Sequence, residues 1–178
     1  METIVTPTEE QRYVELQLLA LDAARAGDSA TLAPMIRAGL PVNLQDHKGN
    51  TLLMLASYHG HAEMVAALLD CGADPDRRNL RGQTPLGGVA FKGYVEIATL
   101  LLDAGADLNA DQGGGTTPLM FACLFGRTDM VKLLQQRGAD ARARNCWGLS
   151  ASFIARCFQI VSRILHPFQP TPPSLSTP

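Results

Sequence analysis

Apolar and polar positions along this chain repeat with a period of 33 residues. Each period carries two short apolar stripes at helical spacing, separated by a glycine. In the copy from Asn79 to Asp111 the first stripe holds Leu86 and Val89. The second holds Val95, Ile97, Ala98, Leu101 and Leu102, spaced by threes and fours on one face of a helix. The neighbouring copies, Asp46 to Arg78 and Gln112 to Arg144, place Leu53 and Leu119, Ala56 and Ala122, and Leu68 and Leu134 at the same positions. The pattern predicts two helices per copy.

Glycines punctuate the pattern in register. Gly60, Gly93 and Gly126 end the first helix; Gly72, Gly105 and Gly138 end the second; Gly49, Gly82 and Gly115 mark a turn before the next copy. Thr84-Pro85 and Thr117-Pro118 read as helix starts, because a threonine hydroxyl can cap a free amide and proline suits the first helical position. Thr51-Leu52 and Ser150-Ala151 keep the capping half of this device. Helices of about ten residues cannot bury both faces alone, so the copies must stack. Gln135 stands where a leucine would continue the second stripe, which weakens the third copy.

The two ends depart from the period. Gly27, Gly39 and Asn43 align with Gly60, Gly72 and Asp76 and outline a degenerate first copy. Its first helix is expected to start at Thr6-Pro7-Thr8-Glu9, with Thr6 as cap, and to run to about Ala26. Glu9, Glu10, Arg12, Glu15 and Gln17 give it a wettable outer side, as a terminal repeat requires. At the other end Gln159 replaces the turn glycine. The stripe Phe153, Ile154, Cys157, Phe158, Val161, Ile164 and Leu165 predicts one helix from about Ser150 to Leu165 that lids the stack.

The copies resemble the ankyrin repeat. The family reads roughly D-x-x-G-x-T-P-L-H-x-A-A-x-x-G-H, followed by an apolar helix ending L-L-x-x-G-A-D. Asp46, Gly49, Thr51, Leu53, Ala56, Gly60 and His61 match, as do Leu68, Leu69, Gly72, Ala73 and Asp74. The later copies match at Gly82, Thr84, Pro85, Leu86, Ala90 and Gly93, and at Gly115, Thr117, Pro118, Leu119, Ala122 and Gly126. The histidine of T-P-L-H is replaced by Met54, Gly87 and Met120, which puts its usual hydrogen bonds between turns in question. The run TPLGGVAFKGY looks most like small bacterial ankyrin proteins. The resemblance implies an all-α solenoid of helix-turn-helix units with hairpin-like loops. A repeat domain is expected over residues 1–166, with repeats at about 13–45, 46–78, 79–111 and 112–144 and an incomplete cap at 145–166. The proline-rich residues 167–178 are expected to be a disordered tail.

Composition narrows the class further. With 46% hydrophobic residues the chain can build a core, and a net charge of -2 gives no global pull toward nucleic acid or acidic membranes. Cys71, Cys123, Cys146 and Cys157 form no CxxC pair, which suits a reducing, cytoplasmic setting. The start, METIVTPTEEQRY, does not read as a signal peptide. His59 and His61 form an H-x-H pair without further clustered ligands, and read as structural. Gly113 to Gly115 lack the lysine and strand of a phosphate loop and read as a hairpin tip. Gly87-Gly88 lies inside a predicted helix and should weaken it by roughly 1 kcal/mol per glycine, either for tight packing or as a hinge. No acid-base pair and no nucleophile beside a placed base appears, so no enzyme activity and no cofactor are expected.

The family implies binding through the hairpin tips and the exposed side of the first helices. Two columns fall there: Tyr58, Phe91, Leu124 and Cys157, then His59, Lys92, Phe125 and Phe158. Exposed aromatics on one face are a common mark of binding hot spots. The tips add His47, Lys48 and Trp147, and carry charge in blocks: Arg77, Arg78 and Arg81, then Asp107 and Asp111, then Arg142 and Arg144. The expected function is a non-enzymatic, monomeric scaffold for a protein partner, with no small-molecule substrate. The alternative is an adaptor for nucleic acid or another anionic surface, using the arginine tips. Membrane association through residues 150–166 is a third reading, short of basic residues.

Overall fold

The computed structural model describes the chain from Thr8 to Leu165. The expected tail at 167–178, and Thr6 and Pro7 of the expected cap, lie outside the described residues. Nine helices are present among the described residues: α1 (Glu9–Ala26), α2 (Ser29–Arg37), α3 (Leu52–His59), α4 (Ala62–Asp70), α5 (Pro85–Lys92), α6 (Val95–Asp103), α7 (Pro118–Leu124), α8 (Thr128–Gln136) and α9 (Ala151–Leu165). The odd-numbered helices pack side by side in chain order, and α4, α6 and α8 pack behind them.

Local chemistry sets these boundaries. The side chains of Thr51, Thr84 and Thr117 accept hydrogen bonds from the backbone N–H groups of Met54, Gly87 and Met120. The Ser150 hydroxyl accepts from Phe153 N–H in the same way. At the other end, Gly60 and Gly93 cap α3 and α5 at φ of 90° and 87°, a left-handed conformation that reverses the chain in two residues.

The core follows the period. Leu53, Leu86 and Leu119, Ala56 and Ala122, and Val89 are fully buried, as are Leu101 and Leu134. Each fully buried leucine contributes about 1.5–3 kcal/mol relative to an exposed one. The alanines let the first helices approach closely. Polar bonds tie the copies together at the same interval. The side chains of Asn43, Asp76 and Asn109 accept from the backbone N–H groups of Asp74, Asp107 and Asp140.

The hairpin tips use one device four times. Asp46, Asn79 and Asn145 each accept from the backbone N–H groups two and four residues on. The third tip shifts this role back one residue to Asp111, which accepts from Gly113 and Gly115. That shift releases Gln112, whose side chain turns inward and is buried.

The first helix differs from expectation in two ways. Its capping box is formed by Thr8 and Gln11, not by a Thr6 cap with Glu9 in third place. The Thr8 hydroxyl accepts from Gln11 N–H while the Gln11 side chain accepts from Thr8 N–H. Gln11 reaches back from the third helical position, which suits the reciprocal pair. Its free side is also less polar than expected: Tyr13, Val14, Leu16, Leu18 and Leu19 are exposed beside the glutamates. Only Ala20, Leu21, Ala23 and Ala24 are buried, because α1 is longer than the α3 it packs against, and its first half extends past that contact.

Candidate functional site

The hairpin tips and the first helices enclose a cleft of about 450 Å³. Its floor falls on one column of the period: Leu55 from α3, Gly88 from α5 and Phe121 from α7. Large side chains flank a position that has none, so the column contains a gap. Tyr58, Phe91 and Phe125 form one wall. The Tyr58 and Phe91 rings lie nearly parallel at 7° with centroids 6.4 Å apart. Phe125 meets Phe91 edge-on at 4.4 Å. The Lys92 ammonium stands 4.3 Å over the Tyr58 ring, where the ring's negative face attracts it.

The two glycines of α5 play different parts. A β-carbon on Gly87 would meet the Gln112 side-chain oxygen at 1.9 Å. That amide donates to the Thr84 hydroxyl and the Ala110 carbonyl, and accepts from Thr84 N–H, each at 2.8–3.0 Å. Gln112 thus fills the place of the missing histidine of the second copy and makes its own bonds between turns. Gly88 has no such constraint. A β-carbon there would meet only Tyr58, at an ordinary 3.5 Å, and its φ lies outside the left-handed range. A helix-interior glycine weakens a helix by roughly 1 kcal/mol relative to alanine. Its observed effect here is to open the cleft floor.

The rim is cationic. Lys48 and Arg81 line it, both exposed, and neither side chain makes an ion pair or hydrogen bond among the described residues. The rim amides are occupied with each other, Asn79 donating to both Asn50 and Gln83. Among the described residues no carboxylate lines the cleft. The nearby Asp46 is turned away: its carboxylate pairs with Arg25 and accepts from Asn50 and Lys48 N–H. Burial opposes its ionisation, but those hydrogen bonds and the Arg25 charge prevail and hold its pKa below the ordinary value. His59 sits edge-on to Tyr58 at 5.8 Å. Burial first, then the electrostatic influence of the neighbouring His61, Lys92 and Arg25, pushes its pKa below the ordinary value. Among the described residues the lining has no carboxylate, imidazole or thiol, and its Thr84 hydroxyl is already bonded to Gln112. The arrangement offers apolar area beside positive charge.

Five of the residues singled out in the sequence meet in this cleft: Lys48, Tyr58, Arg81, Phe91 and Phe125. Lys92 and His59 adjoin it through Tyr58. His47, Arg77, Leu124, Arg142 and Trp147 are exposed outside it. Arg78 and Arg144 brace the tips: Arg78 donates to the Gly82 and Asp111 carbonyls, and Arg144 to that of Gly148. His61 bonds the Arg25 carbonyl at 2.8 Å and lies against Gly27. Phe121 and the opening role of Gly88 were missed in the sequence. Their signal was present, since Leu55, Gly88 and Phe121 stand 33 residues apart.

The sequence profile of the family described as Ankyrin repeats (3 copies) matches residues 20–112 and 71–145, together well over half of the chain. A Pseudomonas aeruginosa protein named as an ankyrin repeat protein is 54% identical over 57 residues, 32% of this chain. That stretch is about a third of the relative's own length.

Proposed function

This chain belongs to the ankyrin-repeat family, and on that footing we propose that it is a non-enzymatic scaffold that binds a protein partner through its hairpin tips and the cleft-bearing face of its first helices. Ankyrin repeats are in general protein-interaction modules. The observation that carries the reading is the cleft itself: an aromatic wall and a gapped floor beneath two cations that have no partner among the described residues. Exposed aromatics with a charged rim are the composition of binding hot spots. We take the scaffold to act as a monomer in the cytoplasm. Among the described residues no helix is long and apolar enough to cross a membrane.

Affinity capture from cell extract with the wild-type chain and with Tyr58→Ala plus Phe91→Ala tests the reading. The double variant is expected to lose at least tenfold in affinity for the captured protein, about 1.4 kcal/mol. Undiminished capture by a variant with unchanged circular dichroism rejects the cleft. In the nucleic-acid alternative the exposed Arg77, Arg81 and Arg142 would meet the phosphates, while Arg78 and Arg144 each also bond a backbone carbonyl. A salt titration against duplex DNA discriminates, because phosphate-driven binding falls steeply with salt.

A further inference from the structure

We propose that the cleft receives an extended peptide segment in which a large aromatic or aliphatic side chain lies next to one or two carboxylates. This rests on the protein-binding reading above and adds the chemistry of the ligand.

Two independent features converge. The first is the gap at Gly88. Its neighbours in the column, Leu55 and Phe121, are bulky, and Tyr58 alone comes within 4 Å of a β-carbon built there. Nothing in the packing requires a glycine, unlike Gly87 one residue before. A side chain from outside can therefore enter beside Tyr58 and rest on the helix backbone, shielded by Phe91 and Phe125. The second is charge. Lys48 and Arg81 sit on successive tips, 33 residues apart, and the Leu80 N–H bond to the Lys48 carbonyl at 3.0 Å holds those tips together. Among the described residues neither cation has an ion-pair partner and no carboxylate lines the cleft, and the whole chain has a net charge of -2. The positive patch is thus a local arrangement and no consequence of bulk composition. Charge-assisted bonds from Lys48 and Arg81 to a carboxylate would set the register of the bound segment, while the ring over Gly88 would supply the apolar contact. The rim amides, already bonded to one another, add no further requirement.

The test is selection of a phage-displayed random dodecapeptide library on the full chain, followed by fluorescence anisotropy with the most enriched synthetic peptide. Enrichment of an aromatic or large aliphatic residue within three positions of Asp or Glu is expected. Gly88→Leu, which fills the gap from within, should weaken that peptide at least tenfold. Lys48→Glu with Arg81→Glu should weaken it at least tenfold and, on reselection, favour Lys or Arg in place of the acids. Lys48→Gln with Arg81→Gln provides the same reading, if smaller, should the reversal disturb the fold by circular dichroism. Neutral peptides that Gly88→Leu displaces but the charge variants do not would keep the cleft and overturn the acidic ligand. Peptides indifferent to Gly88→Leu would place binding elsewhere on the scaffold and overturn the inference alone. A library that yields no binder would overturn the peptide ligand alone, and the affinity capture described above decides the protein-binding reading separately.

Discussion

The side-chain amide of Gln112 stands where a β-carbon on residue 87 would lie, 1.9 Å from that point. Gln112 is buried and bonded to Thr84 through both its oxygen and its nitrogen. Helix propensity alone predicts that Gly87→Ala stabilises the protein. The contact predicts the reverse, a loss of about 1–3 kcal/mol as the amide is displaced from its partners. In a Gln112→Ala background the steric part of that loss should vanish, giving a coupling of at least about 0.5 kcal/mol in a double-mutant cycle. Urea denaturation of the four proteins measures it. Additive effects would show that Gln112 does not occupy the site.

The adjacent glycine should respond with the opposite sign. Gly88→Ala places a β-carbon in ordinary contact with Tyr58 and removes a helix-interior glycine. A gain of up to about 1 kcal/mol is expected, visible as a higher thermal midpoint. A lower midpoint would mean that Gly88 is required by packing and would remove the argument that it is kept open for a ligand.

Gly126 carries two constraints that can be separated. Its φ is +63°, and a β-carbon there would meet the Phe158 ring of α9 at 2.3 Å. Gly126→Ala should destabilise by about 1–2 kcal/mol from the left-handed conformation alone, and further from the ring. With Phe158→Ala in place only the conformational part should remain. Equal losses in both backgrounds, measured by denaturant titration, would show that the ring yields freely.

Asp76 departs from its column, in which Asn43 and Asn109 accept the same bond from the next repeat. Burial first, and then the charges of Asp107 and Asp74, raise its pKa above the ordinary 3.8 despite the bond from Asp107 N–H. A carboxyl whose pKa is raised on folding favours the folded state most below its unfolded pKa, and that advantage is lost as pH rises through the folded value. Asp76→Asn keeps the acceptor and removes the charge. It should therefore stabilise modestly at pH 7, by up to about 0.5 kcal/mol for a half-buried site that water still reaches, with the gain fading below pH 4. A variant that gains most in acid contradicts this assignment.

Much of this protein is legible from its period. The buried leucines, the threonine caps and the glycine turns stand where the 33-residue spacing puts them, because short helices can bury their stripes only by stacking. The candidate site was legible in part. Tyr58 and Phe91 share a column, and their neighbouring positions in space follow from it. Phe125 belongs to the next column, and its edge-on contact with Phe91 depends on rotamers that spacing does not specify. Arg78 and Arg144 look like free tip cations in sequence, yet each reaches a backbone carbonyl four residues on.

The sequence by itself determined the repeat, the helix boundaries within the regular copies and the positions that face the core, since these follow from local propensity and a fixed spacing. The tertiary structure decided which side chains remain available. Gly87 and Gly88 read alike along the chain. Packing fills one with Gln112 from the next repeat and leaves the other open under Tyr58, because the third tip's turn bonds fall to Asp111 and release Gln112 inward. That choice depends on contacts between residues some 25 positions apart, and only the stacked copies bring them together.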